Sequence, residues 1–304
     1  MQERFAFRNT GIRSFEVRTL DELKARIGEA DVLSVSGLWR NELVALAPRL
    51  VFIQSISAGT DQYSRELLAQ AGVRAASAQG VNERAVAEHA IALILAIARK
   101  LPQARDNQAA RKWRGMISEI ARREDELGGK TVVIVGMGRI GSRLARLAKA
   151  FDMRVIGVKR DPTQGGEAAD RTVAQSDLAA VLPEADFVAL TCPLNPSTEN
   201  LIDSRAFAAM KPSASLINVA RGRVVDEAAL AKALQSGSIA AAAVDCVWEE
   251  PLASSSPLWS APNLFITPHT AGETQKYEDN VIDLLLENLE RQWRGEAQLQ
   301  NGFV

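Results

Sequence analysis

With only two cysteines and two histidines in 304 residues, the chain is poor in the side chains that build disulfide frameworks and metal clusters. Cys192 and Cys246 are too few to staple a small extracellular fold, so a reduced, cytoplasmic setting is expected. No metal site is expected either. Charge of one sign is also missing: the net charge of −1 provides no field that would draw the chain to nucleic acid or to an anionic membrane. No apolar run approaches the roughly 20 residues that cross a bilayer. The longest candidate, residues 90–98, is short and flanked by charge. The opening Met1-Gln2-Glu3-Arg4-Phe5 lacks the apolar core of a signal peptide. Repeats and low-complexity tracts are absent as well. What remains is 47 % hydrophobic and 24 % charged residues, in a chain long enough for two domains with separate cores.

The first part of the chain alternates short apolar stretches at 31–36 and 50–56 with helical spacing at 20–27. Asn82 is placed to cap a long helix over 83–101 that Pro102 would stop. From Thr131 the alternation becomes regular. Strands are predicted at 131–136, 154–158, 186–191, 214–219, 240–246 and 263–267. A helix is predicted over 139–151, its apolar stripe formed by Ile140, Leu144, Leu147 and Phe151. Residues 227–235 have helical composition, 251–262 read as a Ser- and Pro-rich loop, and a last amphipathic helix spans about 273–294 with Gly295 behind it. Strand and helix alternating in this way imply a parallel sheet covered on both faces.

Gly136-Met137-Gly138-Arg139-Ile140-Gly141 ends the first of those strands and opens the helix, the setting a dinucleotide loop needs. Gly136 permits the turn, Gly138 lets a pyrophosphate approach the backbone, and Gly141 lets helix and strand pack closely. Exposed N–H groups and the helix dipole then hold phosphate. At the tip of the second strand Lys159 and Arg160 precede Asp161 and Pro162. Two cations there favour a 2′-phosphate, and so NADP, whereas Asp161 alone would serve NAD.

The remaining polar residues of the regular region share one property: each follows a strand. Cys192 and Pro193 follow one, Arg221 the next, Asp245 and Glu250 the next, and His269 the last. In an open α/β sheet these are the carboxyl ends of the strands, where ligands sit. A hydride delivered to a ketone leaves charge on oxygen, which a nearby proton donor relieves, and histidine exchanges protons near neutrality. Glu250, nineteen positions before His269, would orient the imidazole and stabilise its charged form. Arg221 would clamp a substrate carboxylate with a planar, permanently charged fork. Ser57-Ala58-Gly59, after the strand at 50–56, could present backbone N–H groups to the same carboxylate, although as a plain turn it needs no ligand. Trp39 could wall a pocket or cover the core. His89, among Ala, Ile and Leu inside the long helix, reads as structural.

These motifs resemble the D-isomer-specific 2-hydroxyacid dehydrogenases. The resemblance rests on Val135 to Gly141, on Asn218-Val219-Ala220-Arg221-Gly222, on Val244-Asp245-Cys246-Val247-Trp248-Glu249-Glu250-Pro251-Leu252 and on Pro268-His269-Thr270-Ala271-Gly272. It implies Arg221, Glu250 and His269 as the catalytic set and Asp245 near the nicotinamide. The expected cofactor set comprises Gly136, Gly138, Arg139, Ile140, Gly141, Lys159, Arg160, Cys192, Pro193, Thr198, Val219, Ala220, Asp245, Ala271 and Gly272; the substrate set is Ser57, Ala58, Gly59, Arg221 and His269. The implied α/β fold has two Rossmann-like or flavodoxin-like parallel-sheet domains. The cofactor domain, 99–273, is inserted into a discontinuous substrate domain made of 1–98 and 274–304. A homodimer joined through the cofactor domain is also implied. Hydride transfer between NAD(P)H and a small 2-keto acid of the glyoxylate or hydroxypyruvate type is the expected activity. The alternatives are a dinucleotide-sensing corepressor, or a dehydrogenase of another small anion such as phosphite. Formate dehydrogenases of this fold carry glutamine where Glu250 stands.

Overall fold

The computed structural model describes residues 1–163 and 168–304, and backbone contacts divide the chain into two units. Met1–Asn82 and Glu273–Val304 form the first, and Glu83–Gly272 the second. A continuous unit thus interrupts a discontinuous one. The division falls one helix earlier than the expected boundary at 98/99, because the alanine-rich helix after Asn82 packs on the second unit's own elements.

The first unit contains α1 (Gln2–Ala6), α2 (Leu20–Arg26), β1 (Val32–Val35), β2 (Phe52–Ser55), α3 (Arg65–Gln70) and β3 (Arg74–Ala76). The three strands pair in parallel in that order. Thr19 opens α2 with a capping box: its hydroxyl accepts from the Glu22 N–H while the Glu22 carboxylate accepts from the Thr19 N–H. Trp39 is fully buried in the core beside Tyr63, so it covers the core and walls nothing. β3 escapes sequence reading because Arg-Ala-Ala has no strand-forming character. Residues from the chain's end supply its outer neighbour, through an antiparallel bridge between Ala76 and Gly302.

The second unit runs α4 (Glu83–Ala98), α5 (Leu101–Ala109), β4 (Thr131–Val135), α6 (Arg139–Ala150), β5 (Arg154–Lys159), β6 (Arg171–Ala174), α7 (Leu178–Val181), β7 (Phe187–Leu190), α8 (Ser204–Ala209), β8 (Ser215–Asn218), α9 (Glu227–Ser236), β9 (Ala241–Val244) and β10 (Leu264–Ile266). The long helix of the first unit, α10 (Tyr277–Trp293), follows. It starts four residues later than expected and ends before Gly295, which takes the left-handed φ of 70°. Val281, Ile282, Leu285 and Leu289 are buried, Ile282, Leu285 and Leu289 in one cluster with Phe5, Phe52 and Leu299.

The second unit's sheet is all parallel, in the order β10-β9-β8-β7-β4-β5-β6. β4 is β-branched at every position and wholly buried, as a central strand covered on both faces must be. The chain winds outward from β4 to β6, then returns to β7 on β4's other side. The strand order therefore reverses between β4 and β7, and ligands of such sheets bind at that point.

Three expectations need correction. Pro102 does not stop a helix. α4 ends at Ala98, Lys100 adopts φ 51°, and Pro102 lies in the first turn of α5, where its missing N–H would have had no helical partner. α4 belongs with the second unit, since it packs on α6, β8 and β9 through Ala87, Ala90, Ile91 and Ile94. The buried face of α6 is Gly141, Leu144, Ala145 and Ala148; Phe151 lies beyond the helix and is exposed, because small residues let the helix approach the sheet closely.

Candidate active site

The glycine loop lies at the carboxyl end of β4. Gly136 has φ 103°, and a Cβ there would come within 2.6 Å of the Cys192 backbone nitrogen, so only glycine fits. A Cβ on Gly141 would run into the Gly136 carbonyl oxygen. Gly138 is the N-cap of α6 and offers no side-chain cap, and a Cβ on it would meet only open space. Uncapped N–H groups at the start of a twelve-residue helix, beneath an open position, fit a dinucleotide pyrophosphate. The Thr191 hydroxyl, after β7, donates to the Gly136 carbonyl at 2.7 Å and ties the loop to the next strand. Arg139 is exposed and Ile140 half-buried.

At the tip of β5, Lys159 is half-buried and Arg160 exposed. Asp161 turns toward its own loop: its Oδ1 accepts from the Thr163 N–H at 3.0 Å and the Thr163 hydroxyl at 2.6 Å. Cys192 is buried behind the glycine loop, and burial pushes its thiol up to about 11. The Cys246 thiol is pushed up too, first by burial and then by the Glu250 carboxylate. Both thiols are free, and neither presents a thiolate near neutrality. Thr198 is buried, and its hydroxyl donates to the Pro193 carbonyl at 2.7 Å while accepting from the Asn195 N–H at 2.8 Å. It therefore shapes the loop it was expected to line.

After β8, Asn218 arranges the next turn. Its side-chain amide donates to the Arg221 carbonyl at 3.0 Å and accepts from the Ala220 N–H at 3.0 Å. Val219 is half-buried, Ala220 buried, and the Arg221 guanidinium donates to the Ala220 carbonyl at 2.7 Å. Gly222 then passes so close to the Val247 backbone that no Cβ could be accommodated, which locks the arginine turn to the segment bearing Glu250. Asn218 was not among the expected residues. A fully buried amide in a strand needs hydrogen-bond partners, and that requirement is the signal that could have singled it out.

His269 and Glu250 meet. Nδ1 of the imidazole lies 2.6 Å from Oε2 of the carboxylate, and against a carboxylate Nδ1–H is the donor. The other oxygen, Oε1, accepts from the Val247 N–H at 3.1 Å, so the carboxylate is held from both sides. The imidazole side chain remains 47 % exposed, and its Nε2 is left for an incoming group.

His269 sits in a left-handed conformation, φ 55°, which is rare for a residue with a side chain. Asp245 holds the turn in place. Its carboxylate, 2 % exposed, accepts from the Thr270 N–H and the Ala271 N–H, each at 3.0 Å, and from the Thr267 hydroxyl at 2.6 Å. Both oxygens are thereby engaged within the protein, although Asp245 was expected beside the nicotinamide. Ala271 is buried and Gly272 half-buried at the end of the same turn. His89 of α4 also reaches this turn: its Nε2 lies 3.0 Å from the Thr267 hydroxyl and 3.5 Å from Asp245 Oδ1.

In the first unit, the Ser57 N–H donates to the Ser55 hydroxyl at 3.1 Å, and the Ser57 carbonyl accepts from the Ala78 N–H at 3.0 Å. The hydroxyls of Ser57 and Ser36 are in contact. Ser57 thus stabilises its own turn, and only Ala58 and Gly59 are candidates for presenting N–H groups outward. Among the described residues no group of His, Cys, Asp and Glu could hold a metal ion, and no helix is long and apolar enough to cross a membrane.

A doubly wound sheet with a glycine loop at its switch point defines a dinucleotide-binding α/β class. Residues 91–271 match the family model for the NAD binding domain of D-isomer specific 2-hydroxyacid dehydrogenases, and the chain belongs to that family. It is 34 % identical over 283 residues to a D-3-phosphoglycerate dehydrogenase of Methanocaldococcus jannaschii, covering 91 % of this chain and 52 % of that one. The chain spans about half the length of such relatives. It is 35 % identical over 284 residues to a glyoxylate reductase of Pyrococcus furiosus, covering 91 % and 83 % of the two chains. Among solved structures it resembles the NADPH-dependent glyoxylate/hydroxypyruvate reductase of Sinorhizobium meliloti in complex with NADP and malonate. That likeness has a TM-score of 0.83 at 27 % identity, over 99 % of this chain and 93 % of that one.

Proposed function

We propose that this chain reduces small 2-keto acids of the glyoxylate or hydroxypyruvate type to D-2-hydroxy acids, with NADP(H) favoured over NAD(H). The observation that carries this reading is the 2.6 Å bond between His269 and Glu250, on the sheet edge that also bears Arg221 and the glycine loop. A bound nicotinamide would supply the hydride. Glu250 holds Nδ1–H of His269, so the imidazolium offers its Nε2 proton to the ketone oxygen as negative charge develops there. When that proton leaves, the ring becomes the neutral Nδ1–H tautomer, still bonded to Glu250. Arg221 pairs with the substrate carboxylate and sets the face on which hydride arrives.

The NADP preference is supported by Lys159 and Arg160 at the tip of β5 and by the Asp161 carboxylate's engagement with Thr163. The substrate type is supported by the names of the Pyrococcus furiosus and Sinorhizobium meliloti proteins. The Ser57-Ala58-Gly59 loop is proposed to influence substrate choice. A homodimer joined through the second unit is proposed as well. It is supported by an apolar stretch of that unit whose Trp113, Met116 and Ile120 are 99 %, 92 % and 77 % exposed, and by the absence of any buried residue in α5. Two free, buried cysteines support a reducing compartment.

The test is initial rates on glyoxylate, hydroxypyruvate, pyruvate and phenylpyruvate with NADPH and with NADH. Turnover that is fastest on the two small acids with NADPH is expected. No turnover with any pair, or undiminished turnover by His269→Ala, would sink the reading.

A further inference from the structure

We propose that His89 is a positioning residue for His269, acting through Thr267 and Asp245; this rests on the reading of His269 as the proton donor. Hydrogen-bond bookkeeping fixes the direction of the chain of contacts. Asp245 accepts backbone N–H groups at both oxygens, as a carboxylate does, so the Thr267 hydroxyl spends its single proton on Oδ1. The Thr267 oxygen is then an acceptor, and the partner 3.0 Å away, His89 Nε2, has to be the donor. The same N–H leans toward Asp245 Oδ1 at 3.5 Å. His89 therefore carries its proton on Nε2 and completes the shell around a buried carboxylate.

That carboxylate pins Thr270 and Ala271, the two residues following His269, while Thr267 precedes it by two. His269 occupies a left-handed backbone conformation uncommon for any residue but glycine, so outside restraint helps to hold the turn. Removing the Nε2–H of His89 leaves the Thr267 oxygen short of a donor and frees its hydroxyl to rotate away from Asp245. The turn loosens, and the imidazole with it. A misplacement of about 1 Å in a reacting group costs on the order of 100-fold in rate. The loss would fall chiefly on kcat, because Arg221 and the glycine loop are untouched, although Asp245, Ala271 and Gly272, expected beside the cofactor, share the turn.

The two histidines of this chain make a direct test possible, since a ¹⁵N-histidine-labelled sample contains only two imidazoles. In cofactor-free protein, the wild-type spectrum should show a proton on Nε2 of His89. His89→Leu leaves His269 as the sole imidazole, and its ring resonances should shift from their wild-type positions. Thr267→Val, which removes the hydroxyl and keeps the shape, should move them the same way. His89→Gln, whose amide restores an N–H near the Nε2 position, should return them toward wild type. In rates, His89→Leu should lower kcat by about 10- to 100-fold, a larger change than in KM or cofactor affinity, and Gln should recover most of it. Unmoved His269 resonances in the Leu variant, or a Gln variant indistinguishable from it, would overturn the proposal. The spectra decide this even if no keto acid is turned over, so a failure of the enzymatic reading remains separable.

Discussion

His269 and Glu250 are joined at 2.6 Å although they stand nineteen positions apart in the chain, and Glu250 is itself fixed by the Val247 N–H at 3.1 Å. The pairing orients the imidazole, where an unpartnered surface ring would rotate. If His269 donates the proton, His269→Ala should lower kcat by about 10²- to 10⁴-fold, the usual worth of a positioned acid. Glu250→Gln keeps an acceptor for Nδ1–H but removes the carboxylate charge, so its deficit should be smaller than that of His269→Ala. Steady-state rates of the two variants check both. A Glu250→Gln rate equal to wild type would argue against a role for the carboxylate.

Arg221→Lys keeps the positive charge and loses the fork. Two parallel hydrogen bonds to a carboxylate become one, so substrate KM should rise about 10-fold or more while cofactor affinity stays constant. Arg221→Gln should be worse in both KM and kcat. Equal effects on NADPH binding, measured by its fluorescence, would place Arg221 elsewhere than on the substrate.

Lys159→Asp reverses the charge at the tip of β5. Repulsion of a 2′-phosphate and a new acceptor for a ribose hydroxyl should together shift the NADPH to NADH ratio of kcat/KM by about 100-fold toward NADH. Comparing both cofactors at one substrate concentration gives the ratio directly. An unchanged ratio means that the strand tip does not read the ribose.

Burial moves the Cys192 thiol from 9.0 to about 11, and Cys246, Tyr63 and Tyr277 move in the same direction. A thiol with a folded value above its unfolded one takes nothing from stability below the unfolded value. Above it, the unfolded chain ionises and the folded one does not, so stability falls with rising pH until the folded value is reached. For Cys192 that window opens at 9.0 and closes at about 11, and the loss across it is about 3 kcal/mol. Urea unfolding midpoints should therefore drop steeply on the alkaline side, and Cys192→Ala should flatten the drop. Native protein should also resist thiol reagents that modify both cysteines in denaturant.

Trp113→Ser together with Met116→Ser removes two large apolar side chains that pack on nothing within the chain's described residues. Light scattering should report twice the chain mass for wild type and a lighter species for the double variant, with unchanged cofactor binding. A monomeric wild type would refute the homodimer.

Much of the second unit was legible in the linear chain because its strands are buried on both faces. β4 reads as five β-branched residues in a row, and such a run has few other uses in a soluble domain. The order of glycines, Arg221, Glu250 and His269 after successive strands is enough to put them on one edge of a parallel sheet. β3 and β6 were missed, because a short edge or alanine-containing strand is made by its neighbours rather than by its own side chains. Pro102 was misjudged for a related reason: the same ring that ends one helix also suits the start of the next.

His89 shows where one-dimensional reading stops. On the helix it is one polar ring among alanines and leucines, and nothing local says whether it is idle. Its partners, Thr267 and Asp245, lie 178 and 156 residues further on, and only the packing of α4 against β8 and β9 brings them within hydrogen-bond range. Residue types and their order are enough to name an acid, a carboxylate and a guanidinium. How firmly those groups are held depends on contacts made across the sheet, and short-range hydrogen bonds form only once the fold has set their distances.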